Sequence, residues 1–210
     1  MPLTINPIVE NIETGNHIPK LNGLILAGGK STRMGRDKSV LEYHGKPQRK
    51  VLFDLLHQYC NETFYSIREE QQEEFAKQSV IVDQNEYRGP FNGILSAHEK
   101  FPDVAWLVLA CDLPLLDAKS ISQLIAERDY RKSATAFATK KTKLPEPLVA
   151  IWEPNALDEA KAYLKTAESS CPRKFLINSD VKLVHPKTDE VLYNANSLEE
   201  FKVAQSILNP

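Results

Sequence analysis

A chain of 210 residues, 42% hydrophobic and 26% charged, has the length of one ordinary domain and enough apolar side chains to bury a core unaided, which sets aside disordered and fibrous classes. Its formal charge of −2 lacks the basic excess with which nucleic-acid binders displace counterions from phosphates, so no nucleic-acid partner is expected. Three scattered cysteines, Cys60, Cys111 and Cys171, form no C-x-x-C pair, and no export signal or apolar run approaching the roughly 18 residues of a membrane span is present, so the expectation is a cytoplasmic protein without disulfides, zinc or membrane contact.

Residues 1–20 carry three prolines and no sustained periodicity, and read as a loosely ordered arm ahead of a single domain at 21–210. The apolar run GLILA at 23–27 ends in glycines, as a buried parallel strand feeding a loop does. Val51, Leu52, Leu55, Leu56 and Tyr59 recur at helical spacing and predict an amphipathic helix over 47–60 with proline in its first turn. A strand at 63–67, a polar helix around 69–77 and a strand at 79–83 follow. Beyond a glycine-bearing turn comes a helix through Ile94, Leu95 and His98.

The second apolar run, VAWLVLA at 104–110, leads into CDLP at 111–114, after which Asp117 can cap a helix carrying Leu124 and Ile125. Strands at 133–138 and 148–152 suggest an added or antiparallel edge. Helices over 155–166, 173–177 and 198–207 complete the chain. Alternating strands and helices with buried strands predict a three-layer, Rossmann-like α/β fold around a mostly parallel mixed sheet.

Directly after the first strand stands LAGGKSTRMGRDK at 26–38. Gly28 and Gly29 let backbone N–H groups approach a polyphosphate closely, and Arg33 and Lys38 supply cationic donors to its oxygens, so a nucleoside triphosphate suits this loop. The Walker A pattern is excluded, because its first glycine would fall at position 24, which is Leu24. The G-x-G-x-x-G fingerprint is also absent.

This loop resembles the signature L-A-G-G-x-S-x-R-M-G-x-D-K of the nucleotidyltransferases, in the form typical of molybdenum cofactor guanylyltransferases. The resemblance implies that the backbone of Leu26, Ala27, Gly28 and Gly29, with Lys38, binds GTP. Asp83 followed by RGPFNG at 88–93 is similar to the family segment whose aspartate contributes to guanine nucleotide binding and whose turn, here containing Gly89, shapes the pocket. An aspartate can accept two N–H bonds from a guanine edge, and adenine offers no matching pair.

Asp112 in the CDLP segment resembles the family aspartate that binds Mg²⁺, and the end of an apolar strand is where open α/β sheets collect ligands. Cys111 reads as packing rather than as a nucleophile. Asn194 and Asn196, ahead of Ser197 and Glu200, resemble the asparagines associated with the pterin product side, and PEPLVA at 145–150 resembles the segment closing the acceptor side. Two departures stand out. Ser197-Leu198 replaces the family Thr-Pro, and Ser66 and Arg68 do not reproduce an asparagine that relatives carry after the second strand.

The resemblance implies transfer of GMP from GTP to the phosphate of molybdopterin with release of pyrophosphate, Arg33, Lys38 and Asp112 carrying the chemistry. The implied partners are GTP, molybdopterin or its molybdenum-loaded form, and a protein that delivers or receives the cofactor. A cytidylyltransferase for molybdopterin or another phosphorylated metabolite, and a nucleotide-binding regulatory module without turnover, are the alternative readings.

Overall fold

The computed structural model describes residues 17–29 and 38–208. Its centre is a seven-stranded sheet in the order β3-β2-β1-β4-β6-β5-β7. The strands are β1 (Leu21–Leu26), β2 (Thr63–Ile67), β3 (Val80–Val82), β4 (Ala105–Ala110), β5 (Ala134–Ala138), β6 (Pro145–Trp152) and β7 (Val181–Val184). All run the same way except β6, which is antiparallel to both β4 and β5. The expected mixed, mostly parallel sheet is therefore present.

Because successive strand side chains point to opposite faces, each apolar run feeds two cores. Ile25, Leu107 and Ile151 face one way and pack with Leu52, Leu56, Ile121 and Leu124 from helices α1 (Gln48–Leu56) and α3 (Ala118–Ala126). Leu24, Trp106 and Trp152 face the other way. They meet Phe91, Ile94 and Leu95 of α2 (Pro90–Lys100), Leu157 of α4 (Pro154–Leu164) and Phe175 of α5 (Pro172–Ile177). Two helical layers thus enclose the sheet. The last helix, α6 (Leu198–Leu208), joins a smaller cluster in which Phe201 and Ala204 pack with Tyr43.

Local chemistry sets the helix ends. Asp117 accepts a hydrogen bond from the Ser120 N–H and caps α3 as expected. Before α6, Glu200 accepts from the N–H groups of Asn196 and Ser197, while the Ser197 hydroxyl accepts from the Glu200 N–H. This reciprocal capping box lets Ser197-Leu198 start the helix without proline.

Three expectations are corrected, and one strand was not anticipated. The first helix stops at Leu56 rather than at position 60, the remainder being hydrogen-bonded turns. The polar segment at 69–77 is a 3-10 turn, Glu69–Gln71, followed by further turns; few of its side chains can be buried, so a full helix gains no packing. The strand containing 148–152 begins at Pro145 and lies inside the sheet, between β4 and β5, rather than at an edge. The true edge on that side is β7, which sequence periodicity did not indicate because its residues are mostly half-exposed.

Of the expected arm, residues 17–20 are described. The Lys20 carbonyl accepts from the Ala105 N–H, and the Pro19 carbonyl accepts from Arg128, so the chain is fixed before β1 begins. Among the described residues no helix is long and apolar enough to cross a membrane.

Candidate active site

The sheet register brings the functional residues together. Leu26 pairs with Ser66 and with Ala110, and Ile67 pairs with Val82, so the carboxyl ends of β1, β2, β3 and β4 finish level. The residues that follow, Ala27 to Gly29, Arg68, Asp83 and Asp112, must then share one rim. The connections of β1 and β4 leave in opposite directions along the sheet, creating the crevice in which such folds bind ligands. A cavity of about 500 Å³ opens there, within the range of roughly 300–1,000 Å³ usual for small-molecule sites.

Leu26, Ala27, Gly28, Gly29, Lys38, Asp83, Gly89 and Asp112 all line that cavity, eight residues drawn from four separate stretches of sequence. Asn194 and Asn196 do not line it. Asn196 nevertheless reaches it indirectly, because Lys38 Nζ donates a 2.5 Å hydrogen bond to Asn196 Oδ1. Asn194 donates to the Leu192 carbonyl at 3.4 Å. The neighbouring Ala195 N–H donates to the Asp112 carbonyl at 2.8 Å, so the segment before α6 is stitched to both Lys38 and Asp112. The assignment of Arg33 falls on residues 30–37, outside the described ones.

Asp83 lines the cavity, and its carboxylate is tightly held. Ser66 Oγ donates to Asp83 Oδ1 at 2.7 Å. Burial pushes the Asp83 carboxyl above its ordinary range, opposed by hydrogen bonds from Ser66 and Asn92 and by the Arg68 charge. Asn92 itself accepts from the Tyr87 N–H and tethers the turn before α2. That turn contains Gly89, whose φ of +65° favours glycine. Gly93 serves differently: a Cβ there would stand 2.1 Å from Ser66 Oγ, so only a glycine leaves room for the Ser66–Asp83 bond.

The composition of β2 carried an unread signal. Ser66 is a buried polar residue near the carboxyl end of β2, TFYSI, beside the loops that follow the strands, where an unpaired hydroxyl is costly and therefore implies a partner. Gln71, also buried, extends the same bracing by donating to the Ala27 carbonyl and accepting from the Arg68 N–H.

Asp112 has the character of a cation ligand. Burial raises its pKa, while the charge of Lys38 opposes the rise. Its Oδ1 is buried and has no hydrogen-bond partner among the described residues. A hard divalent cation fits such an oxygen. Among the described residues no group of three His, Cys, Asp or Glu side chains surrounds a point where a metal could sit, so further ligands would be phosphate oxygens and water. Tyr43 stands nearby, its phenol pushed up to about 12 by burial and then by the Asp112 charge, and so it stays neutral at physiological pH. Cys111 is buried and its Sγ lies 3.6 Å from the Leu26 carbonyl, consistent with a packing role.

With this geometry in place, residues 23–182 match the family described as a MobA-like NTP transferase domain. The chain belongs to that family. Over 183 residues it is 35% identical to a Synechocystis protein named molybdenum cofactor biosynthesis bifunctional protein, covering 86% of this chain and 52% of that one, so it spans about half of that relative's length. Over 196 residues it is 32% identical to the molybdenum cofactor guanylyltransferase of Pseudomonas fluorescens, covering 87% of this chain and 92% of the relative. Among solved structures, molybdopterin-guanine dinucleotide biosynthesis protein A from Archaeoglobus fulgidus superposes with a TM-score of 0.70 at 22% identity, covering 89% of this chain and 98% of that one. The transferase domain therefore shares its fold with that protein.

Proposed function

We propose that this chain transfers GMP from GTP to the terminal phosphate of molybdopterin, releasing pyrophosphate. The observation that carries the reading is the meeting of Gly28, Gly29, Lys38, Asp83 and Asp112 on one cavity at the carboxyl ends of the strands, in a chain 32% identical to a guanylyltransferase over nearly that relative's whole length.

In the reaction a phosphate oxygen of molybdopterin attacks the α-phosphorus of GTP in line with the departing pyrophosphate; the new P–O bond forms as the α–β bridging bond breaks. The attacking oxygen is already anionic, so no side chain need remove a proton, and the protein's work is positioning and charge neutralisation. Backbone N–H groups of the Gly28-Gly29 loop bind phosphate oxygens. Lys38, held by Asn196, and Arg33 offset the charge that grows on pyrophosphate. Asp83 accepts hydrogen bonds from the guanine edge. Asp112 would hold Mg²⁺, which when bound supplies charge neutralisation between the phosphates. Asn194 and Asn196 lie on the side from which the pterin approaches.

Residues 1–20 are read as an arm on a catalytic domain at 21–210, working in the cytoplasm beside proteins that deliver or receive the cofactor. The test is pyrophosphate release by the purified protein with Mg²⁺ and each nucleoside triphosphate in turn. Release with GTP that requires molybdopterin supports the reading. Release with CTP instead makes the protein a cytidylyltransferase, and tight GTP binding without release makes it a regulatory module.

A further inference from the structure

Arg68 has no part in the chemistry above, yet it stands in the cavity wall at the end of β2. A Cβ placed on Gly28 would lie 3.1 Å from Asp83 Oδ2 and 3.4 Å from Arg68 Cγ. The acidic and the basic side chain therefore both close on Gly28, where a methyl would already crowd them, and both line the cavity.

The guanidinium is fixed in place. Arg68 NH1 donates to Glu70 Oε1 at 2.5 Å, and the Arg68 main-chain N–H donates to Gln71 Oε1 at 3.0 Å. Its Nε, in contrast, is buried and lacks a hydrogen-bond partner among the described residues. A buried donor of this kind costs stability unless something accepts from it. The Arg68 side chain is a quarter exposed and lines the same cavity as Asp83, whose carboxyl feels its charge, so a cationic donor stands beside an acceptor.

Guanine shows the complementary pattern. Its N1–H and N2–H₂ donate, which suits a carboxylate, and its O6 and N7 accept, which suits arginine. Cytosine also offers an N–H₂ group to a carboxylate but has no O6/N7 pair, so Asp83 alone discriminates poorly between the two bases. From this juxtaposition we infer that Arg68 is a specificity-determining residue that donates to the O6/N7 edge of the guanine whose opposite edge Asp83 receives. The inference rests on the guanylyltransferase reading and deepens it by naming what selects the base.

The experiment measures Kd values of the full chain, with Mg²⁺, for GTP, CTP, 7-deaza-GTP and 6-thio-GTP, in wild type, R68M and R68K, each variant first checked for an unchanged thermal transition. Wild type should prefer GTP over CTP and lose about 10-fold or more in affinity when either N7 or O6 of the base is altered. R68M should lose a similar factor for GTP, bind GTP and the altered guanines equally, and keep its CTP affinity. R68K, with one compact donor group in place of the planar fork, should fall between them. Equal weakening of GTP and CTP in R68M would place Arg68 on the phosphates or ribose, and unchanged GTP binding would reduce it to a partner of Glu70; either result overturns the assignment alone. A wild-type protein with no preference for GTP over CTP would overturn the guanylyltransferase reading and the assignment together.

Discussion

Lys38 and Asn196, 158 positions apart, are joined by a hydrogen bond from Nζ to Oδ1, so a residue of the cavity wall is tied to the segment before the last helix. The same segment binds the Asp112 carbonyl through Ala195. In the proposed reaction, an amine positioned in this way would meet the leaving pyrophosphate without first having to be ordered.

Replacing Lys38 by alanine should lower turnover by roughly 10²-fold or more, as removal of a donor to developing charge does. Asn196→Ala keeps the amine but removes its Oδ1 acceptor, and should reduce turnover by a smaller factor. Steady-state kinetics on the two variants check the order; an Asn196→Ala effect equal to that of Lys38→Ala would assign the asparagine a direct contact.

Gly93 and Ser66 should behave as a coupled pair. Gly93→Ala drives a methyl to 2.1 Å from Ser66 Oγ, an overpacking that should cost about 1–3 kcal/mol and loosen Asp83. Combined with Ser66→Ala it should cost less than the sum of the single changes, although the two methyl carbons, 3.1 Å apart before relaxation, still crowd each other. Denaturant unfolding of the three variants gives the coupling energy, and strict additivity would contradict the packing described.

Asp112 ties function to pH-dependent stability. Because burial raises its folded pKa above the ordinary 3.8, the folded state binds the proton more tightly than the unfolded state does. The resulting penalty is absent below 3.8, grows as pH rises through the shifted pKa and is complete above it. Asp112→Asn removes the ionisation, so without nucleotide this variant should melt higher than wild type at neutral pH, the difference shrinking as pH falls toward 4. Thermal scans between pH 4 and 8 test this; a constant difference would place its origin elsewhere.

How much of this was legible in the sequence depended on where the determining interaction lay. The strands GLILA and VAWLVLA declared themselves because their side chains are buried on both faces, and Gly28, Gly29 and Asp112 fell on one cavity because they follow where those strands end. The interior position of β6 was hidden: a strand flanked by prolines resembles an edge, yet β6 pairs on both sides. Ser66 and Gln71 bond residues 17 and 44 positions away, so the buried hydroxyl of Ser66 announces that a partner exists without saying which. The bond between Asn196 and Lys38 spans 158 positions, so no local pattern marks it.

Stability at the opposite end of the sheet should be separable from activity. Arg128 donates from Nε and NH2 to the two carboxylate oxygens of Glu153 at 2.7 and 2.8 Å, and also to the Pro19 carbonyl. The pair is largely buried, so Arg128→Met, which leaves Glu153 without its cation, should cost about 3–5 kcal/mol. Chemical denaturation measures that loss, and the Kd for GTP below the melting temperature should be unchanged.

The central claim is that Asp112 and the Gly28-Gly29 loop hold GTP while its α-phosphate passes to molybdopterin. Incubation of the full chain with GTP labelled at the α-phosphate, Mg²⁺ and molybdopterin tests it most directly, with Asp112→Asn alongside. The account predicts label in a molybdopterin product with wild type and at least a 10²-fold slower appearance with the variant; label transferred equally by both would contradict it.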